Sequence, residues 1–356
     1  MTQPSRTSRY SRLIVGLVCG LALMAGPAAA EPKLGSSVKV GAGLYEIVHN
    51  PATGTVYVAA VGPRGAKDAA RIYELDGATL KEKNAIDVSA SPLYGLGINT
   101  ATQTLYGTDT RSGSVSAVDL KTGKVVASIK HGDGAHVREA IVDEATNTVY
   151  VSVVGTRGAE SSVWVIDGKT NSFSHAIPVP AETLTGIALD AKNNRLFGTA
   201  MGAGTVVAID LPSRKITSTW NAGGEGPTNL VFDAAGNRLF VANQKSGSLT
   251  VLDAKSGDLV KAVPTGEGAL SVAYNPNTQH VYVANRAAGT VTVVDGKTYN
   301  VVSNLKTGTL PQTIAIDRKT NVVYVTNKAR GLPRNAPPDA KPVDDPMGDT
   351  VTIIHP

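Results

Sequence analysis

The sequence predicts an all-β fold, a seven-bladed β-propeller made of four-stranded antiparallel blades. Three observations support this prediction. A unit of forty-odd residues recurs from Leu44 to the C-terminus, short apolar runs fill each unit, and turn residues separate the runs. Repeats of that period made of strands are typical of propellers, because one four-stranded sheet cannot bury both faces and must pack against its neighbours.

The unit over residues 270–308 shows the four strands. Its first run is Leu270–Tyr274, followed by His280–Asn285, which alternates apolar and polar residues and is rich in β-branched and aromatic side chains. Such composition favours a pleated strand. Thr290–Asp295 and Val301–Leu305 are the third and fourth strands. Asn, Asp, Pro and Gly occupy the turns, where they stabilise the backbone reversal.

The turns give the number of blades. The first turn of each unit begins at Asn50, Asn99, Asp143, Asp190, Asp233, Asn275 and Asp317. The second turn begins with an Asp only six times, because the seventh third strand, Thr350–His355, is the last segment of the sequence. We therefore predict that Ser37–Gly41 supplies the missing fourth strand. The N-terminal strand then pairs with the C-terminal blade and closes the ring without an open edge.

Residues 1–30 resemble a cleavable export signal. Three arginines precede an apolar segment over residues 13–24, and Ala28–Ala30 offers a small-residue cleavage site. A retained membrane anchor is a weaker alternative because the segment is short for a span, and a lipid anchor at Cys19 is disfavoured by Val18 before it. We expect a periplasmic protein in which residues 31–356 form one propeller domain with no membrane span.

Cleavage changes the charge and the cysteine content. The mature chain loses three of 34 cationic residues and none of 29 acidic residues, so its net charge falls from +5 to +2. Such a balance does not support a strongly basic nucleic-acid-binding surface. Cys19 is the one cysteine. The mature chain therefore has no disulfide, no thiol nucleophile and no Cys-ligated metal.

Differences between the units indicate where function lies. The connections from second to third strands carry insertions at 61–71, 154–162 and 328–349, the last of them Pro-rich and polar. In a propeller these connections all lie on one face, and variable insertions often carry binding residues. We therefore expect the ligand or partner on that face, with the loop over residues 328–349 near the mouth of the central channel.

Two sets of side chains are candidate binding residues on this face. Recurrent cations in the second-to-third loops would attract an anion, although they also recur because the unit recurs: Arg64, Arg111, Arg157, Lys245, Arg286 and Lys328, with Met201 in the fourth unit and Arg330 nearby. The first strands should line the channel with Tyr45, Glu46, Tyr94, Arg138, Glu139, Thr185, Asn229, Ser271, Gln312 and Thr313. Glu46 and Glu139 with Arg138 would hold a ligand or a metal ion, or form a solvated ion pair.

Motifs for catalysis are missing from the sequence. No H-E-x-x-H pair, G-x-S-x-G elbow, phosphate loop or haem-attachment motif occurs. His136 is the one histidine predicted near the channel mouth, where a catalytic pair with Glu139 is an alternative hypothesis. We therefore expect no enzyme activity, no metal and no cofactor.

The second strands carry a family resemblance. Val323–Asn327, Val281–Asn285 and Leu239–Asn243 resemble the Tyr-Val-Thr-Asn propeller repeat, and Gly95–Leu105 and Arg138–Tyr150 make the chain similar to the YncE-like periplasmic propellers. The resemblance implies a seven-bladed exported protein without an established reaction, for which single-stranded DNA binding has been proposed. Related lyase propellers use a His/Glu pair with a metal, which the resemblance does not locate here.

Three functional hypotheses follow. The first is an exported, non-enzymatic binding module that recognises an unknown periplasmic protein or an anionic ligand through its insertion-bearing face. The second is binding of single-stranded nucleic acid, for which Tyr45 and Tyr94 are the candidates for base stacking. The third is a metal-assisted lyase or hydrolase. A monomer is expected in each case.

Overall fold

The strands of each blade occupy the positions that the repeat predicts. The computed structural model describes residues 1–2, 31–63, 65–155, 160–332, 335 and 344–356. Within these ranges the first half of the chain contains β1 (Lys33–Lys39), β2 (Leu44–Asn50), β3 (Thr55–Ala60), β4 (Arg71–Asp76), β5 (Glu82–Asp87), β6 (Gly95–Asn99), β7 (Thr104–Asp109), β8 (Ser114–Asp119), β9 (Lys124–Lys130), β10 (His136–Asp143), β11 (Thr148–Val154), β12 (Ser161–Asp167) and β13 (Ser172–Val179). The second half contains β14 (Leu184–Asp190), β15 (Arg195–Ala200), β16 (Thr205–Asp210), β17 (Lys215–Asn221), β18 (Pro227–Asp233), β19 (Arg238–Asn243), β20 (Ser248–Asp253), β21 (Leu259–Pro264), β22 (Ala269–Asn275), β23 (His280–Asn285), β24 (Thr290–Asp295), β25 (Val301–Leu305), β26 (Pro311–Ile316), β27 (Val323–Asn327) and β28 (Thr350–His355). A single turn of 3-10 helix over Ala191–Asn193 follows β14.

Seven four-stranded antiparallel sheets form the blades of a β-propeller. Six blades take four consecutive strands each, beginning with β2, β6, β10, β14, β18 and β22. The seventh has the order β26-β27-β28-β1, so its outermost strand comes from the N-terminal part of the propeller. Val38 pairs with Val351 and Lys39 with Thr350. The predicted closure is confirmed, although β1 begins four residues before the predicted Ser37.

The core lies between the blades. Seven clusters of buried apolar side chains each combine residues of two neighbouring sheets. In the cluster between the seventh and first blades, Leu44 and Val56 pack with Tyr324 and Ile353. Successive side chains of a strand point to opposite faces of its sheet. Each sheet therefore packs one face against each neighbouring sheet, and stacking around an axis buries apolar side chains that a lone sheet would leave exposed.

The recurrent Asn and Asp residues close the turns through their side chains. Asn50 Oδ1 accepts a 3.0 Å hydrogen bond from the Ala52 amide, and Asp253 Oδ1 accepts from the amides of Lys255 and Ser256 at 2.8 Å each. A carboxylate or amide oxygen that binds the backbone two or three residues ahead stabilises a tight reversal. These turns lie at the other ends of the strands from the second-to-third connections. Over the described ranges no helix is long and apolar enough to cross a membrane.

Candidate functional site

A cavity of about 670 Å³ occupies the channel along the propeller axis. Every blade contributes to its wall, since first strands of neighbouring blades pack side by side around the axis. All ten side chains that were predicted to line the channel do line this cavity: Tyr45, Glu46, Tyr94, Arg138, Glu139, Thr185, Asn229, Ser271, Gln312 and Thr313. Most of the residues that line the cavity are therefore polar or charged, as the sequence indicated.

β-Bulges aim several of these side chains into the channel. In six blades the pairing of the first strand with the second shifts register near its start, for example between Leu44 and Ile47 and between Val137 and Ala140. Extra residues in a bulge leave the regular ladder and re-aim their side chains. Tyr45 with Glu46, and Arg138 with Glu139, are the residues inside these two bulges.

The mouth of the channel combines tyrosines with cations. The rings of Tyr45 and Tyr94 are 4.8 Å apart, centroid to centroid, in an edge-to-face arrangement. Lys328 Nζ lies 3.6 Å from the Tyr45 centroid, and the guanidinium carbon of Arg111 lies 5.7 Å from the Tyr94 centroid. The negative face of an aromatic ring attracts a cation at such distances. These four residues, called here the mouth cluster, hold two positive charges beside two half-buried rings.

The predicted cations do not all reach the cavity. Arg111 and Arg286 line it, as does Met201 in the fourth unit. Lys328 is half-buried against Tyr45, whereas Lys245 and Arg330 are exposed outside the lining. Arg64 and Arg157 lie outside the described residues. The described part of the chain thus supports a cationic arc at the mouth formed by Arg111, Arg286 and Lys328.

Two carboxyl groups lie deep in the channel. Glu139 Oε2 accepts a 2.9 Å hydrogen bond from the Ile187 amide, and its two oxygens face the Asn229 amide nitrogen at 3.2 and 3.3 Å. Glu46 Oε1 accepts from the Ile47 amide at 3.2 Å. The carboxyls keep some contact with solvent along the channel, but protein encloses them on the other sides.

Enclosure by protein raises the pKa of both acids. Burial raises the pKa of Glu46 to about 7, against the opposing effect of its hydrogen bond from Ile47. Burial first, and the nearby charge of Glu46 second, raise the pKa of Glu139 to about 8. Desolvation and like charge both disfavour the carboxylate form. The pair therefore titrates near neutral pH, where ordinary carboxyls are fully ionised.

The solvated ion pair considered for Glu46, Glu139 and Arg138 is not what the structure shows. Arg138 is exposed to the channel, and within the described ranges it does not come within salt-bridge distance of either carboxylate. Its charge lowers the pKa of Glu139 but ranks behind burial and Glu46. The two acids therefore lack an ion-pair partner that would offset the effect of burial, which is the main cause of their raised pKa values.

Glu139 and Asn229 also separate two halves of the channel. Both line a second cavity of about 390 Å³ on the opposite side, together with Ile187, Tyr274 and Arg318. Because Asn229 Oδ1 accepts a 3.1 Å hydrogen bond from the Val272 amide, the polar chain from Glu139 spans four consecutive blades. We call this hydrogen-bonded partition the channel floor.

Unpartnered polar atoms line the cavity of about 670 Å³ on the mouth side of the channel floor, called here the upper cavity. Ser271 is 7% exposed and its Oγ has no hydrogen-bond partner among the described residues. His136 Nε2 and Arg286 Nε are likewise buried and unpartnered there. Burial, followed by the charge of Arg138, lowers the pKa of His136. No hydrogen bond joins His136 to Glu139 in the described structure, and no cluster of three or more His, Cys, Asp or Glu within it has metal-binding geometry.

Comparison with known proteins identifies the family. The chain matches the family described as YNCE-like beta-propeller over residues 148–333, just over half of its length. The chain belongs to the YNCE-like β-propeller family. Members of this family with curated sequences include the "Uncharacterized protein YncE" of Escherichia coli (strain K12), 34% identical over 198 residues, which cover 53% of this chain and 54% of that relative.

A second relative within the YNCE-like family gives the same result. The "Uncharacterized protein YncE" of Salmonella typhi is 35% identical over 198 residues, again 53% of this chain and 54% of the relative. The chain thus spans about half the length of the curated relatives it matches. The resemblance to the YncE-like propellers, drawn from Gly95–Leu105 and Arg138–Tyr150, is confirmed.

Some features of the channel were not predicted from the sequence. Thr110, Thr183 and Gln244 also line the upper cavity, and no repeat or motif distinguishes them. The bulges escaped as well, because a one-residue register shift leaves the apolar alternation almost unchanged. One signal was available for the bulges: adjacent polar or aromatic residues, such as Tyr45 with Glu46, interrupt the period of two at the start of the first strands.

Proposed function

We propose that this YNCE-like propeller is an exported binding module, without enzymatic activity, that takes an anionic ligand at the mouth of its channel. The mouth cluster carries the proposal: Lys328 and Arg111 lie against Tyr45 and Tyr94, and neither cation has an acidic partner within salt-bridge distance in the described structure. Cations that lack an internal counter-charge at a concave opening favour a negatively charged ligand.

An aromatic anion tests the proposal most directly, because it combines charge with a flat ring. We expect benzoate to bind more tightly than benzyl alcohol, which has the ring without the charge, in calorimetric or NMR titrations. Arg111→Ala and Arg286→Ala should each weaken benzoate binding about threefold to tenfold, since each removes one charged contact. Lys255→Ala, on the opposite face, is the control and should leave the affinity unchanged. Equal binding of the two probes would contradict the proposal.

Single-stranded nucleic acid is a second candidate ligand, favoured by the same mouth cluster. Tyrosine rings beside cations are the components of a stacking platform for bases. One face of Tyr45 is covered by Lys328 and one face of Tyr94 by Arg111, so a base must use another face or displace a cation. Binding of oligothymidylate should then weaken steeply with salt, and Tyr45→Leu should weaken it about fivefold or more. Salt-independent or undetectable binding would eliminate this candidate.

A further inference from the structure

The upper cavity carries opposite charge preferences at its two ends. Its mouth holds Arg111, Arg286 and Lys328, while Glu139 belongs to the channel floor and Glu46 lies near it. None of these five side chains forms an ion pair within the described ranges. The site is therefore suited to a ligand that is itself dipolar, with a negative group toward solvent and a positive group inside.

An unpartnered hydroxyl near the acids points independently to a ligand. The Ser271 side chain is more than nine-tenths buried, lines the cavity and leaves its Oγ without a partner among the described residues. The next amide, that of Val272, donates to Asn229, whose amide group faces Glu139. A buried hydroxyl normally finds a hydrogen-bond partner. The missing partner beside the channel floor is thus expected to come from whatever fills the cavity.

We propose that the channel binds a small zwitterion, whose primary ammonium group contacts Glu46 and Glu139 while its anionic group contacts Arg111 and Arg286. This inference rests on the proposed anion-binding function of the mouth and adds the second pole of the ligand. An ammonium group carries three donors and no acceptor. It therefore suits a floor of two carboxyls and a free hydroxyl, and it relieves the repulsion between the two acids. A second anionic group at that depth would increase the repulsion.

The chemistry of the floor makes the binding pH-dependent with a definite sign. An ammonium ion needs carboxylates, and both acids lose their protons only as the pH rises through about 7 to 8. The titratable and charged groups that face the pair from the surrounding elements are Tyr45, Tyr94, Arg111, His136, Arg138 and Arg286 above, and Tyr274 and Arg318 below. Burial lowers the pKa of His136 from its ordinary value, so the two acids are the groups whose charge changes most in this range. Affinity for the zwitterion should therefore increase from pH 6 to pH 9.

Matched linear probes test the contacts of the ammonium group and of the anionic group separately. The probes are 6-aminohexanoate and 8-aminooctanoate as zwitterions, hexylammonium as the cation alone and hexanoate as the anion alone, titrated by calorimetry or NMR against the mature protein. One of the zwitterions should bind at least about tenfold more tightly than either single-charge probe, because two charged contacts act together. Glu139→Gln and Glu46→Gln should weaken zwitterion and hexylammonium binding about tenfold and leave hexanoate unaffected. Glu267→Gln, an exposed charge change on the same face, is the control.

The outcomes distinguish this inference from the function on which it rests. If hexanoate binds through Arg111 while hexylammonium and the zwitterions gain nothing from the glutamates, the proposed function stands and the inference is wrong. If hexylammonium binds through Glu139 but Arg111→Ala and Arg286→Ala change nothing, the anionic pole fails and both proposals are wrong. Affinity for the zwitterion that falls as the pH rises would show protonated carboxyls donating to the ligand and would overturn the inference. An increase with pH that disappears in Glu139→Gln supports it.

Discussion

The Tyr324 hydroxyl donates a 2.9 Å hydrogen bond to the carbonyl of Gly77 and joins the seventh blade to the first. Tyr106, at the equivalent position of the second blade, donates to Asn171 in the third blade at 2.7 Å. The Tyr282 hydroxyl of the sixth blade is also buried, but it has no hydrogen-bond partner among the described residues. This repeat position is buried in all three of these blades, but its hydroxyl forms an interblade hydrogen bond in two of them.

This difference predicts unequal effects of removing the hydroxyl. Tyr324→Phe should lower the free energy of unfolding by about 1 to 2 kcal/mol, because the buried Gly77 carbonyl loses its partner. Tyr282→Phe, which removes an unpartnered hydroxyl of the same burial, should be neutral or slightly stabilising. Urea denaturation of the two variants and the wild type gives the comparison. Equal losses would show that the Tyr324 bond contributes nothing specific.

The repeat was the most predictable feature of this chain. His280–Asn285, Thr290–Asp295 and Val301–Leu305 were predicted as strands with the bounds that β23, β24 and β25 have. Local signals set these bounds. Apolar and polar residues alternate along each strand, and turn residues that hydrogen-bond their own backbone flank it. The pairing of β1 with β28 also followed from the sequence, since counting the units showed that one blade lacked a strand.

The channel was predictable in position but not in chemistry. The first strands were expected to line it, and Tyr45, Glu139 and Ser271 do so. The raised pKa values of Glu46 and Glu139 depend on their closeness across the ring, 93 residues apart in sequence. Distances of that kind follow from blade curvature and β-bulges, which an alternating pattern does not encode.

The closing strand should be essential for stability. Deleting residues 33–39 removes the partner of β28 and exposes its backbone groups. The free energy of unfolding should fall by about 3 kcal/mol or more, at about 1 kcal/mol for each lost hydrogen bond, and the variant should aggregate through the exposed edge. Leu34→Ser is the control, because the Leu34 side chain is 43% exposed and its backbone pairing is kept. A deletion variant with wild-type stability in urea would contradict this account of ring closure.

Because the pKa values of the two buried acids are raised, we expect the protein to lose stability as the pH rises. The folded-state pKa of Glu139 is about 8, well above its ordinary value of 4.5. Between these values the folded protein holds a proton that the unfolded chain has released, so the stabilising effect is present at low pH and disappears as the pH rises through 8. Unfolding measured in urea should show this decline, to which Glu46 contributes in the same direction through its pKa of about 7.

A variant that cannot titrate isolates the effect of Glu139. Glu139→Gln should match the wild type at about pH 5 and exceed its stability at about pH 8.5 by about 1 kcal/mol or more, since one pKa unit corresponds to about 1.4 kcal/mol. Glu267→Gln removes the same charge from an exposed loop and should keep the wild-type pH profile. A Glu139→Gln variant whose stability declines with pH as steeply as the wild type's would show that Glu139 is ionised throughout.

Neighbouring first strands approach each other so closely at Gly95 that we expect this position not to tolerate a side chain. A Cβ atom there would lie 2.2 Å from the carbonyl oxygen of Arg138, on the next blade, and 2.8 Å from Thr108 Oγ1. Backbone must move to relieve the first contact, at a cost of about 1 to 3 kcal/mol for an overpacked site. Gly95→Ala should therefore lower the midpoint of thermal or urea unfolding.

The same substitution should also disturb the channel mouth. Gly95 lies between Tyr94 and the Arg138 backbone, so a displaced blade changes the spacing of the mouth cluster and should weaken benzoate binding even at temperatures where the variant is folded. Gly331→Ala is the control, because no atom of the described residues lies within 4 Å of the added atom. If Gly95→Ala unfolds like the wild type and binds benzoate equally well, the first strands are not packed as tightly around the channel as their contact predicts.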